Sequence, residues 1–225
     1  MKIYDETTKQ EIVNPDLSNG YLYEGTIVTG HEEETIKIMP GTISEKYPMG
    51  FRQVVPAHDV LENCMYYHAY TDEDIEREFS KKNEELRKSK DSVIQNGAEV
   101  TLSDGTQKHF FYDIASQADI GTMFNAVMLG MDSYIYHSED GGCDIYSKED
   151  ILNIHATLSS LKTKEETYYG QLISYVKSLT KVPEIQKVKY GDELTGIYLE
   201  EYNRLLAYAM TQMQKLIERL KTDAS

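Results

Sequence analysis

Proline divides this sequence into two parts. Four of its five prolines lie in the first 56 residues, and only Pro183 follows them. The 126 residues between Pro56 and Pro183 contain no proline. Long helices are therefore open to this stretch, because an interior proline removes a helix hydrogen bond and clashes with the preceding turn. The first part also carries five glycines in its first 50 residues and is typical of short strands and loops.

Three segments of the first part have the composition of β-strands. They are residues 21–29, 35–39 and 64–70. In the second segment Ile36 and Ile38 alternate with polar residues, which would place both on one face of a strand. The sequence therefore predicts a β-rich region over residues 1–70.

Three capping boxes predict helix starts farther along the chain. Each is a serine or threonine followed three residues later by aspartate: Thr71 with Asp74, Ser116 with Asp119, and Ser147 with Asp150. In such a box the hydroxyl accepts from a first-turn N–H and the carboxylate reaches back to the cap residue. From Ser116 we expect a helix that buries Ile120, Met123, Phe124, Val127, Met128 and Met131.

The helix predicted over residues 71–96 has few apolar residues. Three glutamates precede a base by four residues, the favourable order for helix ion pairs: Glu73/Arg77, Glu78/Lys82 and Glu84/Lys88. Asn96-Gly97 would end the helix. We expect a mostly solvated spacer or a coiled-coil arm over 71–97.

Two hairpins are predicted on either side of the helix from Ser116. Residues 98–103 and 106–112 flank Asp104-Gly105, a strong hairpin signal because both turn residues need positive φ. A second hairpin is expected over 133–146, around Asp140-Gly141-Gly142. Together these elements predict a small αβ module over 98–146.

The last part of the chain carries two apolar stripes with steps of three and four residues. The first is broken only at Glu165 and the second is unbroken, and the segment 181–192 between them breaks the helix. The stripes are Ile151, Ile154, Leu158, Leu161, Tyr168, Leu172, Tyr175 and Leu179, and then Leu199, Tyr202, Leu206, Ala209, Met213, Leu216 and Leu220. Such a repeat is typical of knobs-into-holes packing, so residues 147–225 are expected to form a helical hairpin or a coiled coil. The stripes either face the chain's own core or pair with other copies, and we favour a homo-oligomer.

The net charge of −15 excludes several function classes. An acidic surface repels nucleic-acid phosphates and anionic membranes, so we expect no nucleic-acid partner and no membrane partner. The acidity is uneven. Residues 1–70 carry 5 basic and 11 acidic residues, 98–146 carry 1 and 8, and the stripe helices are neutral. If the acidic modules dock, their partner should be basic and the contact should weaken with salt.

The residue types that catalyse reactions or bind metals form no known motif here. His58, Cys64 and His68 match no zinc spacing, and His155 follows Ile154 on the flank of a stripe. Cys143 and His137 could face each other across the second hairpin, and Cys64 and Cys143 are expected to be reduced thiols. The sequence thus predicts no enzyme, no metal and no cofactor. It also starts without a signal-peptide pattern.

Four stretches resemble a family in their order and spacing. They are residues 20–31, 70–75, 104–120 and 147–152. Together they resemble small proteins from the tail-gene cassettes of bacteriophages and prophages of gut Firmicutes. The resemblance implies a virion component made in the bacterial host cytoplasm, a structural protein at the baseplate or tail-fibre junction that contacts other tail proteins. The alternative that it leaves open is a tail-fibre assembly chaperone absent from the finished particle.

Overall fold

The computed structural model describes residues 1–41, 43–46, 48–139 and 141–222. The side chains of residues 217, 218 and 220–222 lie outside that description. The chain has the mixed α+β architecture that the sequence predicts. It divides into two compact units, Met1–Asp74 and Ile75–Ser225, and the boundary falls in the first turn of the first helix.

The first unit is built on a long β-ribbon. Its strands are β1 (Ile3–Asp5), β2 (Gly20–Glu32), β3 (Thr35–Ile38), β4 (Arg52–Val55) and β5 (His58–Ala69). β5 lies in the middle of a three-stranded sheet, parallel to β1 and antiparallel to β2. β3 and β4 pair with each other in a separate two-stranded sheet, here named the tip hairpin. The four prolines of this unit lie outside its strands, because proline cannot donate to a strand ladder.

The three strands predicted in this region are confirmed, with different bounds. β5 begins at His58, six residues before the predicted start, and β2 extends to Glu32. β1 and β4 were not predicted, because their residues show no alternation of apolar and polar side chains.

Tyrosines supply the small core of the first unit. Its buried apolar residues, within the part of the chain that the structure describes, are Cys64, Tyr66 and Tyr67. The Tyr66 hydroxyl donates to the Thr26 carbonyl at 2.9 Å and the Tyr67 hydroxyl to the Asp16 carbonyl at 2.9 Å. These bonds satisfy the polar end of each ring while its body is buried.

The second unit contains most of the helices. Its elements are α1 (Asp72–Asn96, which starts in the first unit), β6 (Ala98–Thr101), β7 (Gln107–Phe110), α2 (Ile114–Met128), β8 (Ser133–His137), β9 (Cys143–Ser147), α3 (Lys148–Ser178), α4 (Val182–Lys187) and α5 (Gly196–Thr222). β6 pairs with β7 and β8 with β9, as the sequence predicts. Asp140, part of the predicted turn of the second hairpin, lies outside the described residues.

Two apolar clusters hold the second unit together. The first joins the two hairpins, α2 and the end of α1 to the beginning of α3, and its members include Phe110, Met123, Tyr146 and Ile154. The second joins α1 and α4 to the end of α3, around Leu86, Leu172 and Ile185. The clusters share no buried residue. α1 and α3 connect them, because each helix contributes different residues to both clusters.

The role expected of α1 is wrong. Leu86 is fully buried and Ile94 nearly so, and they lie in the two different clusters. α1 is therefore part of the body of the second unit and not a solvated spacer over 71–97. Its polar face does carry ion pairs, including Glu84 with Lys88 as predicted, whereas Lys82 pairs with Glu85.

The start of α2 and its apolar face also differ from expectation. The N-cap is Asp113, whose carboxylate accepts from the Ser116 N–H at 2.8 Å, so the box predicted at Ser116 and Asp119 is wrong. Aspartate and serine are both good N-caps, and the sequence pattern fits either position. Ile120, Met123 and Val127 are buried as predicted and Phe124 is half-buried, but Met128 is exposed at the last residue of α2 and Met131 is exposed beyond it.

The turn of the first hairpin has a positive φ at Gly105 only. The Gly105 N–H donates to the Leu102 carbonyl and the Leu102 N–H to the Thr106 carbonyl, which makes a three-residue loop closed by a left-handed glycine. The Asp104 carboxylate accepts from the backbone and hydroxyl of Thr106 and so stabilises the loop without a positive φ of its own.

Candidate interaction surfaces

The β5 residues that could have bound a metal are far apart. His58, Cys64 and His68 are spaced along one strand, where six residues span about 20 Å and four span about 13 Å. His58 approaches Glu32 at 3.7 Å, Cys64 is buried and His68 is hydrogen-bonded on both ring nitrogens. No group of three or more metal-capable side chains is found among the described residues.

His68 connects three parts of the first unit. Its Nδ1 contacts the Glu6 carboxylate, which follows β1, and its Nε2 lies 3.0 Å from the buried carboxylate of Asp74. Asp74 also accepts from the N–H and hydroxyl of Thr71, which confirms the capping box that begins α1. The hydrogen bonds to Asp74 and Glu6 raise the pKa of His68, because the imidazolium can donate to both carboxylates and neutral imidazole to only one.

Only part of this cluster could be predicted from the sequence. Thr71 and Asp74 are local and follow a known pattern, whereas Glu6 is 62 residues away from His68. The cluster's geometry fixes the beginning of α1 against β5 and leaves no ring nitrogen for a ligand.

The remaining histidine candidates are also used in packing or lie on the surface. His155 stacks on Phe124 with ring centroids 3.9 Å apart, so the flank of α3 packs against α2 there. Burial lowers the pKa of His155. His137 and Cys143 are directly opposite each other across β8 and β9, and both are exposed.

The α3 stripe faces the chain's own core along much of its length. Ile151, Ile154 and Leu158 are fully buried in the first cluster, and Leu172 is buried in the second. Leu161, Tyr168 and Leu179 are half-buried, and Tyr175 is exposed at 37%. The buried residues of this stripe therefore pack in the chain's own core and do not pair with another copy, since they offer no exposed surface.

The polar break in the α3 stripe has a structural use. The Tyr190 hydroxyl, from the segment after α4, donates to the Glu165 carboxylate at 2.6 Å. Burial first, and then this carboxylate, raise the pKa of Tyr190. Tyr168 packs edge-on against Tyr190 with ring centroids 5.2 Å apart. Glu165 thus satisfies a half-buried hydroxyl where an apolar residue would leave it unpaired.

The α5 stripe is covered less completely. α5 runs antiparallel to α3, with Tyr198 against Tyr175 and Tyr202 against Tyr168, which is the helical hairpin that the sequence left open. Tyr202, Leu206, Ala209 and Met213 are half-buried, Leu199 and Leu216 are exposed, and the Leu220 side chain lies outside the described residues. A groove of about 480 Å³ remains beside α3, lined by Ala98, Leu161 and four α5 residues from Leu206 to Met213. A coiled coil with another copy is not established by this geometry.

The first unit carries a second exposed apolar surface at its tip hairpin. Seven large apolar residues of this hairpin and its loop are exposed: Ile36, Ile38, Met39, Ile43, Met49, Phe51 and Val54. Ile36 and Val54 are cross-strand partners, so they form a pair on one face of the sheet.

The ribbon that leads to the tip hairpin is thin. Its outer part, residues 26–32 of β2 and 58–63 of β5, is here named the distal ribbon. Most of its side chains are exposed on both faces, including the cross-strand pair Val28 and Leu61. β1 pairs only with Met65–Tyr67 and does not reach the distal ribbon.

Comparisons with known proteins give no further assignment. Neither a family model, nor a curated protein, nor a solved structure matches this chain. No helix among the described residues is long and apolar enough to cross a membrane.

Proposed function

We propose that this chain is a non-enzymatic structural protein of a bacteriophage tail, at the baseplate or tail-fibre junction, which acts through protein–protein contacts and self-association. The observation that carries the proposal is the apolar surface that both units expose, at the tip hairpin and along α5. Large exposed apolar patches mark interaction sites, because leaving them in water is unfavourable.

The assignment to a tail is supported by the sequence resemblance. The residues that carry it keep their order from Gly20 to Leu152, and they include the Ser147 cap, which the fold uses. The proposed partners are other tail proteins, and the proposed location is the virion tail after synthesis in the host cytoplasm.

Self-association is proposed for the outer part of the α5 stripe. Leu199 and Leu216 are 41% and 38% exposed at its two ends, and the groove beside Leu206 and Met213 has room for apolar side chains. α5 carries four basic and three acidic residues, so two copies meet no large charge repulsion there.

Mass in solution tests self-association. We expect the wild-type chain to be an oligomer and the double variant Leu199→Asp/Leu216→Asp to be a monomer with unchanged helicity by circular dichroism. Ala207→Asp/Thr211→Asp adds the same charge to the exposed opposite side of α5 and should stay oligomeric. A monomeric wild type at high concentration, or an oligomeric stripe variant with full helicity, contradicts the proposal.

Particle composition tests the structural role. Mass spectrometry of purified particles should find the chain in a fixed stoichiometry to other tail proteins. Its presence during assembly but absence from finished particles would overturn the structural role in favour of a fibre-assembly chaperone.

A further inference from the structure

We propose that the open edge of β5 in the distal ribbon, residues 58–63, takes up an extended basic segment of a partner protein as an added β-strand. This inference deepens the proposed function, since it assumes that the chain acts through protein contacts and adds the chemistry of one partner. Four observations support it.

The edge is vacant and regular. β5 is the central strand where β1 flanks it at Met65–Tyr67, but over residues 58–63 no third strand pairs with it among the described residues. The register of β5 with β2 shifts only between Val28 and Gly30, so the irregularity is on β2. No backbone hydrogen bond to the β1 side of residues 58–63 is formed within the described part of the chain. Regular unpaired edges are templates for strand addition, whereas bulges disfavour it.

The distal ribbon also lacks what a two-stranded ribbon needs for stability. Two strands alone are at best marginally stable in water, and a third strand or a packed face is normally required. Val28 and Leu61 face each other with 55% and 59% of their surfaces exposed. A strand added beside Leu61 would supply both the missing ladder and apolar cover for this pair.

The charge selects the occupant. β2 and β5 contain four acidic residues (Glu24, Glu32, Asp59 and Glu62) and no lysine or arginine, and Glu33 and Glu34 follow directly. A second copy of the ribbon would bring like charges together, which disfavours self-pairing. A basic strand would find Asp59 on one face of β5 and Glu62 on the other.

The edge already holds one cation. Lys2, just before β1, forms a 3.2 Å salt bridge with Glu11. This bridge, and to a smaller degree the charge of Glu62, raise the pKa of Lys2. Glu62 on β5 is thus close enough to Lys2 to favour its positive charge, at the place where an added strand would continue.

The first experiment uses a synthetic heptapeptide of alternating lysine and valine and follows backbone amide signals of the full chain by NMR. We expect shifts and hydrogen-exchange protection in residues 58–63, with affinity falling on the order of 10-fold between about 50 and about 500 mM NaCl. The same peptide with alternate backbone nitrogens methylated keeps its charge but loses the ladder, and it should not protect these amides. Equal protection by the methylated peptide, or protection of β2 alone, would overturn the proposal.

Charge variants form the second arm of the experiment. Asp59→Asn/Glu62→Gln should weaken binding of the heptapeptide on the order of 10-fold, because it removes the charge contact on whichever face the lysines occupy and the longer-range attraction of the other carboxylate. Asp119→Asn/Glu200→Gln removes the same charge from exposed sites in the second unit and should change affinity less than about 2-fold. Equal weakening by both variants would mean that only net charge attracts the peptide and would refute the edge site. Particle composition and oligomer mass are measured separately, so a failure here leaves the proposed function distinguishable.

Discussion

The two units of this chain are stabilised by different interactions. Among its described residues, the second unit buries thirteen in one apolar cluster and six in another. The first unit buries three apolar residues in its described part and relies on tyrosine hydroxyls, strand ladders and the His68 cluster. Apolar burial is the dominant favourable contribution to folding. We therefore expect the second unit to be the more stable of the two and the first to open locally at a lower free energy.

The largest expected effect is in the first cluster of the second unit. Leu158→Ala removes a fully buried side chain and should lower the free energy of unfolding by about 2–5 kcal/mol. Leu129→Ala is the matched control, since Leu129 is 89% exposed, and it should change stability by less than about 0.5 kcal/mol. Hydrogen exchange, which reports each unit separately, is the measurement. Equal effects of the two variants would refute the assigned core.

A smaller loss of stability is expected in the first unit at Gly20, where the backbone lies close to neighbouring atoms. A Cβ on Gly20 would overlap the His68 carbonyl oxygen and the Tyr67 ring, so Gly20→Ala should destabilise this unit by about 1–3 kcal/mol. Gly30→Ala on the same strand meets nothing nearer than 3.9 Å and should be nearly neutral. If Gly20→Ala instead slows or speeds exchange in the second unit as much as in the first, the two units are not independent.

The features predicted correctly from the sequence are local ones. The boxes at Thr71 and Ser147 were found because both halves of each lie within three residues, and Asp104-Gly105 marked its hairpin for the same reason. Ser116 was misassigned because Asp113 has an equal preference for the cap position.

What the sequence left undetermined depends on long-range contacts. Ile154 in the α3 stripe and Leu206 in the α5 stripe belong to the same repeat of apolar residues every three or four positions. Ile154 is nevertheless fully buried and Leu206 half-buried. Periodicity gives the face of a helix but not what covers it. In the His68 cluster, Glu6 carries no local signal. In the distal ribbon, the side chains are exposed because no third strand pairs there within the described part of the chain.

A helix cap in the second unit gives a smaller effect. Ser147→Ala removes the hydroxyl that accepts from the Asp150 N–H and should cost about 1 kcal/mol. Ser116→Ala is the comparison, because it keeps the backbone N–H that donates to the Asp113 cap carboxylate and removes only the contact of the Ser116 hydroxyl with that carboxylate, so we expect a smaller loss than at Ser147. Exchange in the first unit should be unchanged by both. A loss at Ser116 equal to that at Ser147 would restore the box first predicted there.

The smallest effect, and the sharpest test of the comparison, is an opposite pH dependence of the two units. Asp74 and Glu6 raise the pKa of His68 above 6.5, so its contribution to the first unit is fully present below pH 6.5 and is lost as the pH rises through the raised pKa. Burial lowers the pKa of His155, so the second unit loses stability as the pH falls from 6.5 towards that lowered pKa.

Hydrogen exchange between about pH 5.5 and 8, corrected for intrinsic exchange rates, should therefore show the first unit gaining protection and the second losing it as the pH falls. His68→Gln should remove the slope of the first unit only, and His155→Gln that of the second only. Because the two histidines differ in having carboxylate partners or an apolar stack, a first unit that loses protection as the pH falls would show that the charge state of His68 is not set by Glu6 and Asp74. The first unit would then lack the polar anchor that distinguishes it from the apolar clusters of the second.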